Sequence, residues 1–119
     1  MNFKSNANFT SRRSPVFSSG GMCATSQPAA SVAGLRILDQ GGTAADAAVA
    51  AAAALQVTQP CSTGLGGDAF CLYFDASTGK VHALNGSGPS ASALTFDSVK
   101  EKGFGNRLPP FHGLTVTVP

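Results

Sequence analysis

The chain has 119 residues, room for one small domain. Its formal charge is +2 with only 12% charged residues, and its Lys and Arg form no patch that would attract nucleic acid or an anionic membrane. Alanine and glycine are over-used, and a core of Ala buries less apolar area per residue than one of Leu or Ile, so the chain reads as a piece of something larger.

Residues 1–13 read as a disordered tail. The opening MNFKSNANFTSRRSPVF has no continuous apolar run of the kind a secretory signal needs. The Asn8-Phe9-Thr10 match to the glycosylation pattern is therefore taken as accidental. After Ser14-Pro15, Val16 to Ser19 reads as a short strand, Gly20-Gly21 breaks it, and Met22 to Thr25 resumes an extended run. Ser26 is the expected N-cap of a first helix, with Pro28 in its first turn, where the missing N–H does no harm. That helix runs to about Gln40, with Val32, Leu35, Ile37 and Leu38 as its apolar face and Arg36 and Asp39 toward water. Gly41 stands where a left-handed C′ residue is needed.

A second helix begins almost at once. Thr43 followed by Asp46 is a variant capping box, and Ala44 to Leu55 have near-ideal helix propensity. No polar face exists after Asp46, which predicts a buried helix. Gly41-Gly42 predicts a tight corner between the two helices. The longest apolar stretch, Ala47 to Val57, is too short for a bilayer, which needs roughly 20 residues.

Gln59-Pro60 ends the second helix, and Cys61 to Asp68 is a glycine-rich loop. Ala69 to Phe74 is a strand with apolar residues on both faces, which predicts cover on both sides. Asp75 to Gly79 is a turn with Gly79 in the left-handed region, and Lys80 to Asn85 is the return strand, His82 on its polar face. Gly86 to Ser90 is a polar loop. Thr95 caps a short helix, Phe96 to Lys102, stopped by Gly103. Arg107 to Pro110 is irregular. Gly113 to Val118 alternates as a strand that runs to Pro119 without a polar tail, and so reads as cut from a longer chain.

The residues by themselves support no named catalytic site. Cys23, Cys61 and Cys71 are odd in number and fit neither a zinc site nor a CxxC pair; they read as reduced, mostly buried thiols. Gly64-Leu65-Gly66-Gly67 leaves a helix and enters a strand. A dinucleotide loop does the opposite, and no Lys-Ser/Thr pair follows, so a nucleotide-binding protein is disfavoured. His82 and His112 have no flanking signature. Asp46, Asp68 and Asp75 read as cap, loop acceptor and turn residue. No metal-ligand spacing occurs and no cofactor is expected.

The ordered stretches Gly21-Met22-Cys23-Ala24-Thr25-Ser26-Gln27-Pro28, Gly34-Leu35-Arg36-Ile37-Leu38, Gly41 to Ala50 and Gln59-Pro60-Cys61-Ser62-Thr63-Gly64-Leu65-Gly66-Gly67-Asp68-Ala69-Phe70 resemble the γ-glutamyltransferase (glutathione hydrolase) family. Leu84-Asn85-Gly86-Ser87-Gly88 is similar to its bacterial-type, signal-less branch. The likeness covers about residues 14 to 118. It implies an α+β N-terminal-nucleophile hydrolase fold, two stacked antiparallel sheets between helix layers (αββα), incomplete in this chain, with residues 14–119 as the N-terminal part of the large subunit. It also implies a precursor that cleaves itself to free a threonine nucleophile, whose own α-amine is the base in γ-glutamyl transfer or hydrolysis. That threonine lies several hundred residues downstream in the family, so the chain by itself is expected to be inactive; Thr43, Thr115 and Thr117 read as a cap and two strand residues. The implied partners are the rest of the large subunit, the small subunit and a small γ-glutamyl substrate, without nucleic acid or membrane, in the cytoplasm. In the family an arginine in the loop after the hairpin grips the substrate α-carboxylate. Here Ser87, or Pro89 in a shifted register, occupies that place; Arg107 is a remote substitute. The alternative reading is a truncated, non-enzymatic paralogue acting as an interaction module.

Overall fold

Glycine and alanine decide how the first two helices meet. A computed structural model describes residues 13–119, so the tail expected over residues 1–13, save Arg13, and the Asn8-Phe9-Thr10 match lie outside the described residues. Helix α1 spans Pro28–Asp39 and α2 spans Ala44–Thr58. The corner between them is a Schellman motif. The Gly42 N–H donates to the Ile37 carbonyl and the Gly41 N–H to the Leu38 carbonyl, both at 2.9 Å, with Gly41 at φ +84°. The helices cross on their smallest residues, with Ala30 and Gly34 of α1 buried against Ala47 and Ala51 of α2. Each pair is spaced four apart and so lies on one helix face.

Four expectations change here. Val32 and Leu35 do not face α2; they are exposed, because the close approach is made by the Ala30–Gly34 stripe and larger side chains would hold the helices apart. The N-cap of α1 is Gln27, not Ser26. The Ser26 hydroxyl instead donates to Gln59 Oε1 at the far end of α2, while the Thr25 hydroxyl donates to the Gln27 carbonyl. Among the described residues α2 is covered along one stripe only, and Val49 and Val57 on its other sides stand in solvent. The run from Val16 to Thr25 forms no strand, since no described segment pairs with it. Met22 and Cys23 lie across an apolar groove of about 350 Å³ against Ala48, Ala52 and Leu55 of α2.

The hairpin forms where the sequence places its two strands and turn. Strand β1 (Ala69–Asp75) pairs antiparallel with β2 (Lys80–Gly86), from Ala69 opposite Gly86 to Asp75 opposite Lys80. Gly79 closes the turn at φ +66°. Neither face is covered among the described residues, although Phe70, Leu72 and Phe74 on β1 and Val81 and Leu84 on β2 are all apolar. Helix α3 (Phe96–Glu101) begins at Thr95 and ends at Gly103 with a second pair of Schellman bonds, Gly103 N–H to Lys100 O and Phe104 N–H to Val99 O.

Residues 113–118 are not a strand. Gly113–Thr115 is a single 3₁₀ turn, because the His112 carbonyl and Nδ1 accept from the Thr115 and Leu114 amides. Only Thr117 makes a bridge, antiparallel to Ser90. The buried apolar side chains among the described residues are Ala30, Ala47, Ala51 and Val99. A Cα radius of gyration of 19.4 Å carries the same message. A self-sufficient domain of this length would measure about 13 Å.

Candidate functional site

The open end of the hairpin gathers the polar residues that the sequence singles out. Ala69 pairs with Gly86, so Asp68 and Ser87 occupy the next positions outward on the two chains. Asp68 closes the glycine-rich loop, whose turn is fastened by the Gly67 N–H on the Gly64 carbonyl at 3.0 Å. Ser87 is half-buried, and its backbone N–H donates to its neighbour Asn85 Oδ1 at 3.2 Å. Gly88 follows at φ +67°, and a Cβ there would collide with the Val118 carbonyl. Both facts require glycine.

The C-terminal segment crosses this end. The Val118 N–H donates to the Pro89 carbonyl at 3.0 Å, Thr117 bridges Ser90, and the Thr117 hydroxyl donates to Asp68 Oδ1 at 3.0 Å. Thr117 therefore joins the glycine-rich loop to the loop after the hairpin. Its side of an alternating run was legible in the sequence, but nothing local announces a partner 49 positions away.

The other candidates stay apart and do structural work. Asp46 accepts from the Thr43 N–H and hydroxyl while the Thr43 hydroxyl accepts from the Asp46 N–H, which completes a capping box. The Thr43 side chain, and then its amide, hold the Asp46 carboxyl below its ordinary pKa. At the closed end of the hairpin Asp75 accepts from the Ser77 amide and hydroxyl and from the Thr78 hydroxyl, and these bonds, Ser77's side chain first, lower its pKa too. His82 lies opposite Tyr73, and His112 sits edge-on to Phe104 with Nδ1 occupied as an acceptor. No Ser/His/Asp arrangement forms among the described residues. All three cysteines are free; contrary to expectation, Cys61 and Cys71 are exposed and only Cys23 is half-buried, because no described residues pack over the glycine-rich loop or the hairpin faces. No group of three His, Cys, Asp or Glu among the described residues is placed to hold a metal ion. No described helix is long and apolar enough to cross a membrane.

Chemically, the open hairpin end offers hydroxyls, backbone amides and one carboxylate, with no cation between Val81 and Val99. Arg107 is exposed in the irregular segment beyond α3. Such a surface suits hydrogen-bond recognition of a polar, weakly charged group better than a bidentate grip on a carboxylate.

Comparison with known proteins places these elements. The profile of the family described as Gamma-glutamyltranspeptidase matches residues 30–119. The glutathione hydrolase-like YwrD proenzyme of Bacillus subtilis is 49% identical over 92 residues, which cover 76% of this chain and 17% of that protein. The oxamate amidohydrolase proenzyme of Klebsiella pneumoniae is 41% identical over 81 residues, covering 68% of this chain and 15% of that protein. Among solved structures, the γ-glutamyltranspeptidase of Helicobacter pylori superposes with a TM-score of 0.63 at 34% identity, over 68% of this chain and 23% of that one. The chain thus spans less than a fifth of the length of these curated relatives.

Proposed function

The chain belongs to the gamma-glutamyltranspeptidase family and carries part of its N-terminal-nucleophile hydrolase fold, and on that premise we propose that residues 14–119 are the N-terminal part of the large subunit of an acyl-transferring or hydrolysing enzyme. Its substrate class is a γ-glutamyl or similar small amide. The reading is carried by the family match over residues 30–119, which runs through both helices, the glycine-rich loop and the hairpin.

In this reading the nucleophilic threonine and its α-amine come from another part of the same precursor. The remainder of the large subunit and the small subunit are the partners, and they supply the cover that α2 and both hairpin faces lack. The stretch described here acts as scaffold and as one wall of the acyl site. Ser87 is the substrate contact. A neutral hydroxyl there donates a single hydrogen bond, where a guanidinium would make two charge-assisted ones. The consequence is a weaker hold on the α-carboxylate of a glutamyl group and greater tolerance of acyl groups that lack one. The reaction needs no cofactor, and the cytoplasm is the proposed location.

The uncovered apolar hairpin also favours a second reading, an interaction module without catalysis. Expression of the full-length protein separates the two. Self-cleavage into two chains, seen by mass spectrometry, together with release of aniline from a γ-glutamyl anilide or ammonia from a small amide, supports the enzyme. A chain that stays intact and turns over neither substrate supports the module.

A further inference from the structure

We propose that Asp68 and Thr117 are positioning residues: together they strap the loop of residues 86–90 to the open end of the hairpin and so set where Ser87 stands. The importance of the strap for catalysis rests on the reading of Ser87 as a substrate contact; the strap itself rests on geometry alone.

The loop needs an external restraint. It contains Gly86 and Gly88, which are conformationally permissive, and Pro89, which has no N–H to give to a ladder. The hydrogen bond of Ser87 to Asn85 is local and holds only two neighbours together. Beyond the ladder pairing of Gly86 with Ala69, the loop's longer-range backbone contacts among the described residues are made with residues 117 and 118. The Val118 amide takes the Pro89 carbonyl, Thr117 bridges Ser90, and the Val118 carbonyl lies against Gly88, leaving no space for a side chain.

These contacts place the loop only if residues 117–118 are themselves placed, and Asp68 does this. It immediately precedes Ala69, the first residue of β1, so its backbone is fixed by the hairpin ladder. Its carboxylate accepts from the Thr117 hydroxyl at 3.0 Å. A hydrogen bond to a charged acceptor restrains a segment more than a neutral one does. Thr117 thus meets the β1 side of the hairpin through its side chain and the β2 side through its backbone. Displacing it frees the loop on which Ser87 sits.

The test uses the full-length protein with Thr117→Val, Thr117→Ser and Asp68→Ala. Thr117→Val keeps shape and backbone pairing and removes the hydroxyl; Thr117→Ser keeps the hydroxyl. Hydrogen exchange of the peptide covering residues 86–90 is the direct readout, and KM and kcat on a γ-glutamyl anilide or a small amide are the second. Exchange there is expected to quicken roughly tenfold in Thr117→Val and Asp68→Ala, the order expected for losing a charged hydrogen bond, and to return to normal in Thr117→Ser. KM is expected to rise severalfold with kcat nearly unchanged. Faster exchange with KM unchanged supports the strap and removes Ser87 from the substrate. Unchanged exchange in both Thr117→Val and Asp68→Ala overturns the strap, whatever the kinetics.

Discussion

Gly34 of α1 lies directly against Ala47 of α2: a Cβ at Gly34 would stand 3.2 Å from the Ala47 carbonyl oxygen and 2.5 Å from Cys23 Sγ. One missing methyl group thus lets two helices and the extended run before them share one contact. Gly34→Ala gains helix propensity, about 1 kcal/mol, yet the overlap outweighs it. The expected result is a net loss of roughly 1–2 kcal/mol by urea unfolding of the full-length protein. Adding Cys23→Ala removes the tighter overlap and should restore part of the loss. A Gly34→Ala variant as stable as the parent would show that the helices do not meet at this point.

The Thr43–Asp46 box starts α2, and Thr43→Ala should cost about 1 kcal/mol, the usual cost of losing a threonine cap. It should also let the Asp46 pKa rise toward its ordinary value, since the Thr43 side chain is the main cause of its depression. Carboxyl ¹³C shifts followed through a pH titration measure this directly.

Asp46 and Asp75 share a pH dependence. Both have folded pKa values below their unfolded ones, so both bind protons less readily in the folded protein. Their contribution to stability is complete above about pH 4 and is lost as pH falls through the lowered folded values. The first turn of α2 and the hairpin turn should loosen in that acid range and not on the alkaline side. Amide exchange at Asp46 and Ser77 checks the sign; loosening that begins above pH 6 would contradict it.

Ser87→Arg should favour glutamyl substrates. A guanidinium at the hairpin's open end adds a charge-assisted contact to an α-carboxylate, so KM for a γ-glutamyl anilide should fall about tenfold or more, while that for an amide without a carboxylate should not. Equal effects on both substrates would mean that residue 87 does not face the acyl group.

The 119-residue chain alone should show no γ-glutamyl anilide hydrolysis and should self-associate. Leu72 is 81% exposed and Leu84 is 59% exposed, on opposite faces of one uncovered hairpin. Two such faces form a larger apolar patch than a stable monomer usually shows. Sedimentation and dye binding test this, and a monomer that binds no hydrophobic dye would count against it.

Local chemistry was legible wherever a residue acts on its near neighbours. The Thr43 and Thr95 caps, Gly41 and Gly79 in the left-handed region, Gly103 as a helix stop, and the two hairpin strands about their short turn all depend on partners within a few positions. The Val16–Ser19 and Gly113–Val118 runs have strand composition too, but a strand needs a partner. Their alternation cannot say whether one is present. At the candidate site, Ser87 was placed in its loop by motif order, whereas the role of Thr117 as more than another residue of an alternating run was not visible.

The sequence by itself determined the family, the two helices, the corner and the hairpin, because the order of its glycines, caps and apolar runs specifies short-range structure. Only the tertiary structure decided which faces meet. It brought α1 onto α2 through Ala30 and Gly34 and left Val32 and Leu35 outside, because backbone approach is limited by the smallest side chains. It also joined Asp68 to Thr117 across the hairpin's open end, since a hydrogen bond between distant positions depends on where two chain segments arrive and leaves no periodic trace in either of them.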